Sequence, residues 1–222
     1  MIPFHGHQSP RCRSTIRFGK LVTACGVCLA ALACTASPTG TSSTKNIPDD
    51  LRAFVAPSDT LLAYKFADLY GDATTAAVII IRHKTSEKSD YDFDNNPCDL
   101  MVLRRKNGKL VEVDHSTKAV DCTYNDVARN APAMSLNDNL SASPANIVYV
   151  NQKDKGGSSF QFSWSKDKST WYLQRATASN PAGNSVATVG AAYPTDFAWT
   201  PMSSVDPDAI AEILENQGKT TE

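Results

Sequence analysis

An excess of charge of either sign is missing from this sequence: 22 Lys and Arg stand against 23 Asp and Glu, a formal net charge of −1 over 222 residues. So balanced a chain carries no field that would gather nucleic acid or an anionic lipid surface. Histidine is scarce, with only His83 and His115 beyond residue 34, so imidazole-driven nucleophilic catalysis and zinc ligation have little to work with. Gly-x-Ser-x-Gly, His-Glu-x-x-His, the phosphate-binding loop and the dinucleotide-binding glycine pattern are all absent, which removes the usual signatures of hydrolases, metalloproteases and nucleotide enzymes. Alternation of strands with long amphipathic helices is missing as well, which disfavours a doubly wound α/β sheet. The expectation is a protein that is not an enzyme.

Long apolar runs are also lacking. Leu21–Ala33 is apolar or small throughout but has only 13 residues, short of the ~20 that span a bilayer as a helix. It follows Arg11, Arg13, Arg17 and Lys20, and no acidic residue precedes Asp49. A basic segment followed by a short apolar core is the pattern of an export signal. It ends in Ala31-Leu32-Ala33-Cys34, which resembles the lipobox of bacterial lipoproteins with Ala31 and Leu32 in reversed order. The resemblance implies a signal peptide over 1–33, a diacylglycerol on Cys34 and stable anchoring through its acyl chains. Cys25, after Val22-Thr23-Ala24, is a second lipobox candidate with almost no apolar core upstream, and cleavage near Ala36 without a lipid is the plain-secretion alternative. Thr35 after the cysteine resembles the sorting pattern of outer-membrane lipoproteins, so the expected location is the cell envelope, facing the periplasm. Residues 34–50 then read as lipidated cysteine and tether, because their Ser, Thr, Pro and Gly cannot bury a core. Residues 51–222 are left as one domain.

Beyond the signal only Cys34, Cys98 and Cys122 remain. With Cys34 acylated, Cys98 and Cys122 form a pair that an oxidising compartment would join; two buried thiols are the alternative.

Strands dominate the rest. Leu62, Tyr64 and Phe66 alternate within Leu61–Asp68, and Ala76–Arg82 is a β-branched run of the kind buried on both faces. Asn107-Gly108 separates Asp99–Arg105 from Lys109–Val113 and predicts a hairpin. Residues 114–144 read as a long loop with Met134 and Leu136 turned inward. Ile147–Asn151, the alternating Phe160, Phe162 and Trp164, and Trp171–Leu173 predict further strands, with the aromatics as the main core wall. Ser185–Ala192 is a weaker strand candidate. Asp206 and Pro207 open a helix whose Ile210, Ile213 and Leu214 share a face. The expected fold is mainly β: an antiparallel sheet or β-sandwich of hairpins with a short C-terminal helix.

Two acidic stretches are candidate sites for a hard cation such as Ca²⁺, which takes six to eight oxygens. Asp90, Asp92 and Asp94 alternate in a turn-prone segment, for which a solvated loop is the alternative. Asp68-Leu69-Tyr70-Gly71-Asp72 precedes an apolar strand, and it resembles the calcium loop of FG-GAP repeats. Tyr70, Ala73 and Ala76 depart from that pattern, so the loop shape is expected with or without a metal. Lys155, Gly157, Ser158 and Ser159 lie in a polar, glycine-rich stretch that reads as a hairpin tip or as a protruding loop that contacts a partner.

The ordered series Asp68–Asp72, Val78-Ile79-Ile80, Asn107-Gly108, Gly157-Ser158-Ser159-Phe160 and Trp171-Tyr172-Leu173 resembles a group of periplasmic lipoproteins with one degenerate FG-GAP-like loop. It is similar to the immunity and lysozyme-inhibitor-like lipoproteins of xanthomonad-type bacteria over roughly residues 60–177. This resemblance implies a membrane-anchored periplasmic binding or inhibitor protein whose partner is a peptidoglycan hydrolase. The alternative is a structural or assembly lipoprotein of the envelope.

Overall fold

The computed structural model describes residues 47–89, 94–183, 185–217 and 219–220. The expected signal segment, Cys34, most of the tether, Asp90 and Asp92 lie outside the described residues. The fold is mainly β, as expected, and has two antiparallel sheets. The first holds β1 (Thr60–Ala67), β2 (Ala76–Arg82), β3 (Cys98–Lys106) and β4 (Lys109–Ser116) in that order. The second runs from the edge strand β5 (Leu140–Ser143) through β6 (Asn146–Gln152), β7 (Gly157–Ser165) and β8 (Thr170–Ala182) to β9 (Ser185–Ala192). A two-residue strand, β10 (Lys219–Thr220), pairs only with Gly190 and Val189 of β9.

The sheets pack face to face. Leu62, Val78, Ile80, Leu100 and Val102 from the first sheet share one core with Ile147, Tyr149, Phe160, Phe162, Trp171 and Leu173 from the second. The aromatic wall expected from Phe160, Phe162 and Trp171 is therefore present. The far face of the first sheet has a core of its own, where Ile79, Ile81, Ala77 and Leu103 lie under Leu51 and the 3₁₀ turn Asp49–Phe54. That is why Ala76–Arg82 carries no polar alternation: both faces of β2 are covered.

The Asn107-Gly108 hairpin forms as predicted, with φ of 51° and 79° at the two positions. Only a residue tolerant of the left-handed region suits each place. The alternation in β1 is broken by a bulge: Leu61 pairs with Ile81 and Ala63 with Ile80, which leaves Leu62 as the extra residue. Leu62 thus enters the inter-sheet core while Tyr64 packs on the opposite face, whereas unbroken alternation puts both on one face.

The stretch expected as a loop holds more order than its composition suggests. It forms β5, the short helix α1 (Asp126–Arg129) and a 3₁₀ turn. Its backbone covers the edge of β1, where Met134 and Leu136 donate to the carbonyls of Leu61 and Leu62 at 3.0 Å and Asn137 Oδ1 accepts from the Tyr64 amide. The C-terminal helix α2 (Pro207–Gln217) starts as expected, with Asp206 Oδ1 accepting from the Asp208 amide at 3.1 Å. It buries Ile210 and Leu214 against the inner face of β8 and β9.

Candidate functional site: a cleft at one end of the sandwich

A cleft opens beside the inner face of the second sheet, close to the start of β3 at Cys98. One wall is α2, with Asp206, Pro207, Asp208, Ala211 and Glu215. The opposite wall is the segment from Thr117 to Tyr124. Between them the inner face of the second sheet forms a floor of Phe160, Ala178 and Val189, joined by Ile210 and Leu214 from α2. The cleft encloses about 510 Å³, within the ~300–1,000 Å³ range of ligand-binding clefts.

The 117–124 wall buries Ala119, Val120 and Cys122 in the inter-sheet core and is tied down by covalent and polar bonds as well. Cys98 and Cys122 form a disulfide with Cα atoms 5.7 Å apart, joining the start of β3 to this wall. Asn151 of β6, only 2 % exposed, reaches across with its whole carboxamide. Its Oδ1 accepts from the Asp121 amide at 3.0 Å and its Nδ2 donates to the Ala119 carbonyl at 2.8 Å. Ser116 Oγ accepts from the Ala119 amide at 3.1 Å, and Asn125 Nδ2 donates to the Gln152 carbonyl. Every polar atom in this set has a partner, as burial demands.

Strand alternation divides the glycine-serine segment between two faces. Lys153–Gly156 is a tight turn, closed by the Lys153 amide donating to the Gly156 carbonyl at 3.2 Å. Gly156 has φ +84°, and a Cβ there would stand 2.0 Å from the Ser179 carbonyl oxygen, so no other residue fits. Gly157, Ser158 and Ser159 are already strand, paired with Gln152, Asn151 and Val150 on one side and with Ser179, Ala178 and Thr177 on the other. Ser158 lines the cleft. Ser159 turns outward and shares a 2.7 Å hydrogen bond with Thr177 Oγ1. Of the residues expected to contact a partner, Lys155, Gly157 and Ser158 are thus brought to one cleft, and Ser159 is on the opposite surface. Among the described residues, neither the Ser158 hydroxyl nor the Lys155 ammonium has a partner within the chain.

The element that does protrude lies elsewhere. β7 ends at the Gly157–Ser179 pair, but β8 and β9 continue through Asn180–Ala187, Pro181–Val186 and Ala182–Ser185. Among the described residues no strand pairs with this two-stranded arm on its β8 side beyond Ser179, a position where proline is accepted. Val186 on it is 67 % exposed. Asn180, at the base of the arm, also lines the cleft. Pro181, Gly183 and the weak strand pattern of 185–192 were the signals for this arm in the sequence.

The other candidate residues occupy local networks. Asp68 spends both carboxylate oxygens on its own loop, accepting from the amides of Asp72 and Ala73 at 3.1 and 3.0 Å. Asp72 accepts from the Thr74 amide and pairs with Arg104 at 2.8 Å; the guanidinium holds its carboxyl below the usual range. Backbone amides and the Arg104 guanidinium thus supply the positive partners of both carboxylates in this loop. Asp94 pairs with Lys88 at 2.9 Å. No group of three or more metal-ligating side chains occurs among the described residues.

Each of the two imidazoles among the described residues is held by carboxylates. His115 Nδ1 lies 2.8 Å from Glu112. His83 Nδ1 lies 2.7 Å from Asp59 and its Nε2 3.2 Å from Asp99. Burial pushes the His83 pKa down, but the two carboxylates together outweigh it and raise it above the usual imidazole value.

No family model, no curated protein and no solved structure matches this chain.

Proposed function

We propose that this chain is an exported, lipid-anchored binding protein that acts without chemistry of its own. Cys34 would hold it to the membrane, and the cleft end of the sandwich would engage a periplasmic protein, with a cell-wall hydrolase as the candidate target. One observation carries the binding site. The cleft gathers Ser158 and Lys155, both without partners among the described residues, beside an exposed arm that continues its floor. Well-formed clefts with a few convergent polar groups are the default binding sites of proteins. The export signal pattern and the Cys98–Cys122 disulfide support an oxidising location.

The test is capture from the organism's own envelope and secreted fractions by the exported Cys34→Ala chain, immobilised through its C-terminus. Retention of one hydrolase at near-equal stoichiometry, with loss of its lytic activity, supports the inhibitor reading. Retention of several envelope components together would replace it with an assembly role. Labelling with a radioactive fatty acid tests the anchor: Cys34→Ala abolishes incorporation, and persistent label would move the acylation site to Cys25.

A further inference from the structure

The charges around the cleft are unevenly placed, and this limits what can sit there. On the α2 side stand Asp206, Asp208 and Glu215. Among the described side chains Lys118 is the cation that faces them, 2.9 Å from Asp206 and within the field of Asp208. Among the described side chains, three carboxylates against one ammonium leave two negative charges on that wall. Among the described residues Glu215 has no ion-pair partner. At the other end Lys153 is matched by Asp121 at 3.4 Å, and Lys155 is left unmatched. Between the two ends lies the apolar floor of Phe160, Val189, Ile210 and Leu214.

An anionic amphiphile would place its head against the negative wall or leave that wall uncompensated. An uncharged apolar ligand would bring no partner to Lys155, Ser158, Asp208 or Glu215. We propose that the cleft receives a segment of the partner protein that presents one large apolar side chain next to a lysine or arginine. The apolar group covers the floor, and the basic group faces Asp208 and Glu215. Lys155 and Ser158 meet carbonyl or carboxylate oxygens of the same segment. This rests on the reading that the partner is a protein, and it names the part of that protein that is bound.

The test uses two capped peptides, acetyl-Gly-Lys-Phe-Lys-Gly-amide and its counterpart with Glu in place of both Lys. Each is titrated into the ¹⁵N-labelled, exported Cys34→Ala chain. The lysine peptide is expected to move the amide signals of Ser158, Val189 and Leu214 and to bind about three- to tenfold more tightly than the glutamate peptide, the difference two exposed charge pairs supply. Reversing both charges on the exposed face of α2, with Asp208→Lys and Glu215→Lys, is expected to invert that order. Val189→Trp, which fills the floor, is expected to abolish both titrations while the remaining amide spectrum stays folded. Equal affinities, an order that survives the charge reversal, signal changes away from the cleft, or saturation by sodium dodecanoate without response to either peptide would each overturn the proposal. A chain that captures a protein while its cleft ignores the peptides sinks this inference alone. A chain that binds the lysine peptide in the cleft but captures no protein sinks the proposed function instead.

Discussion

Replacing Asn151 by alanine removes the polar tie that spans β6 and the 117–124 wall. Two hydrogen bonds go at once, from the Asp121 amide and to the Ala119 carbonyl. Ala119 is fully buried and Asp121 half-buried, so the two backbone groups differ in how easily water replaces the lost partner. A buried group left unsatisfied costs ~1–3 kcal/mol, and one that water can reach costs far less. The expected destabilisation is therefore about 2–4 kcal/mol. In urea, with a slope of ~2 kcal/mol per M, this lowers the midpoint by roughly 1–2 M without a change in slope. The disulfide holds the same wall, so the effect depends on it. Repeating Asn151→Ala in a Cys98→Ala/Cys122→Ala background is expected to give a different cost, with a coupling of at least ~0.5 kcal/mol. A shift of the midpoint below about 0.3 M in the oxidised protein, or strict additivity with the disulfide variants, would refute the view that the wall depends on these ties.

Other outcomes follow from neighbouring features. Removing the disulfide with Cys98→Ala/Cys122→Ala opens a loop of 24 residues and is expected to cost about 3 kcal/mol, measured by denaturant titration; no loss would show that the bond does not constrain the unfolded chain. Phe162→Ala empties a fully buried position between the sheets and is expected to cost ~3–5 kcal/mol, with a loss under 1 kcal/mol contradicting the packing. Because His83 has a raised pKa when folded, its pairing with Asp59 and Asp99 stabilises fully below the ordinary imidazole value of ~6.5 and fades as pH rises through the higher folded value. The stability advantage of the wild type over His83→Gln should therefore shrink from pH 6 to pH 9, and an advantage that grows over this range would contradict the pairing. Gly156→Ala should destabilise the Lys153–Gly156 turn, since its Cβ meets the Ser179 carbonyl; an unchanged melting temperature would show that the turn gives way freely.

The local patterns were legible where one interaction range decided the outcome. Asn107-Gly108 specifies its hairpin because positive φ at two successive residues is a local requirement. The β-branched run of β2 announced burial on both faces, since no solvent-facing position needed a polar residue. Pro207 after Asp206 marked the start of α2 for the same local reason. Cysteine count pointed to Cys98 and Cys122 once the signal segment and an acylated Cys34 are set aside, and the structure joins these two rather than leaving them as buried thiols.

Other features became visible only in the folded chain. The bulge at Leu62 moves Tyr64 to the opposite face, and a one-residue insertion is set by the register of the neighbouring strand, to which periodicity along β1 is blind. The segment 114–144 looked structureless because its order comes from long-range ties such as Asn137 to Tyr64 and Asn151 to Asp121. The cleft belongs to the same class. Ser158 and Ser159 are adjacent in the chain and were read as one contact surface, yet strand geometry sends one into the cleft and the other to Thr177. Which serine faces the cleft follows from strand alternation, and what stands across from it follows from the packing of α2 and the 117–124 segment beside β7, β8 and β9. By itself the sequence determined most of the strands and the Asn107-Gly108 turn, each through short-range steric rules, and with Cys34 acylated it left Cys98 and Cys122 as the pair to be joined. Tertiary packing alone decided where the cleft opens, since that depends on contacts between residues far apart in the chain.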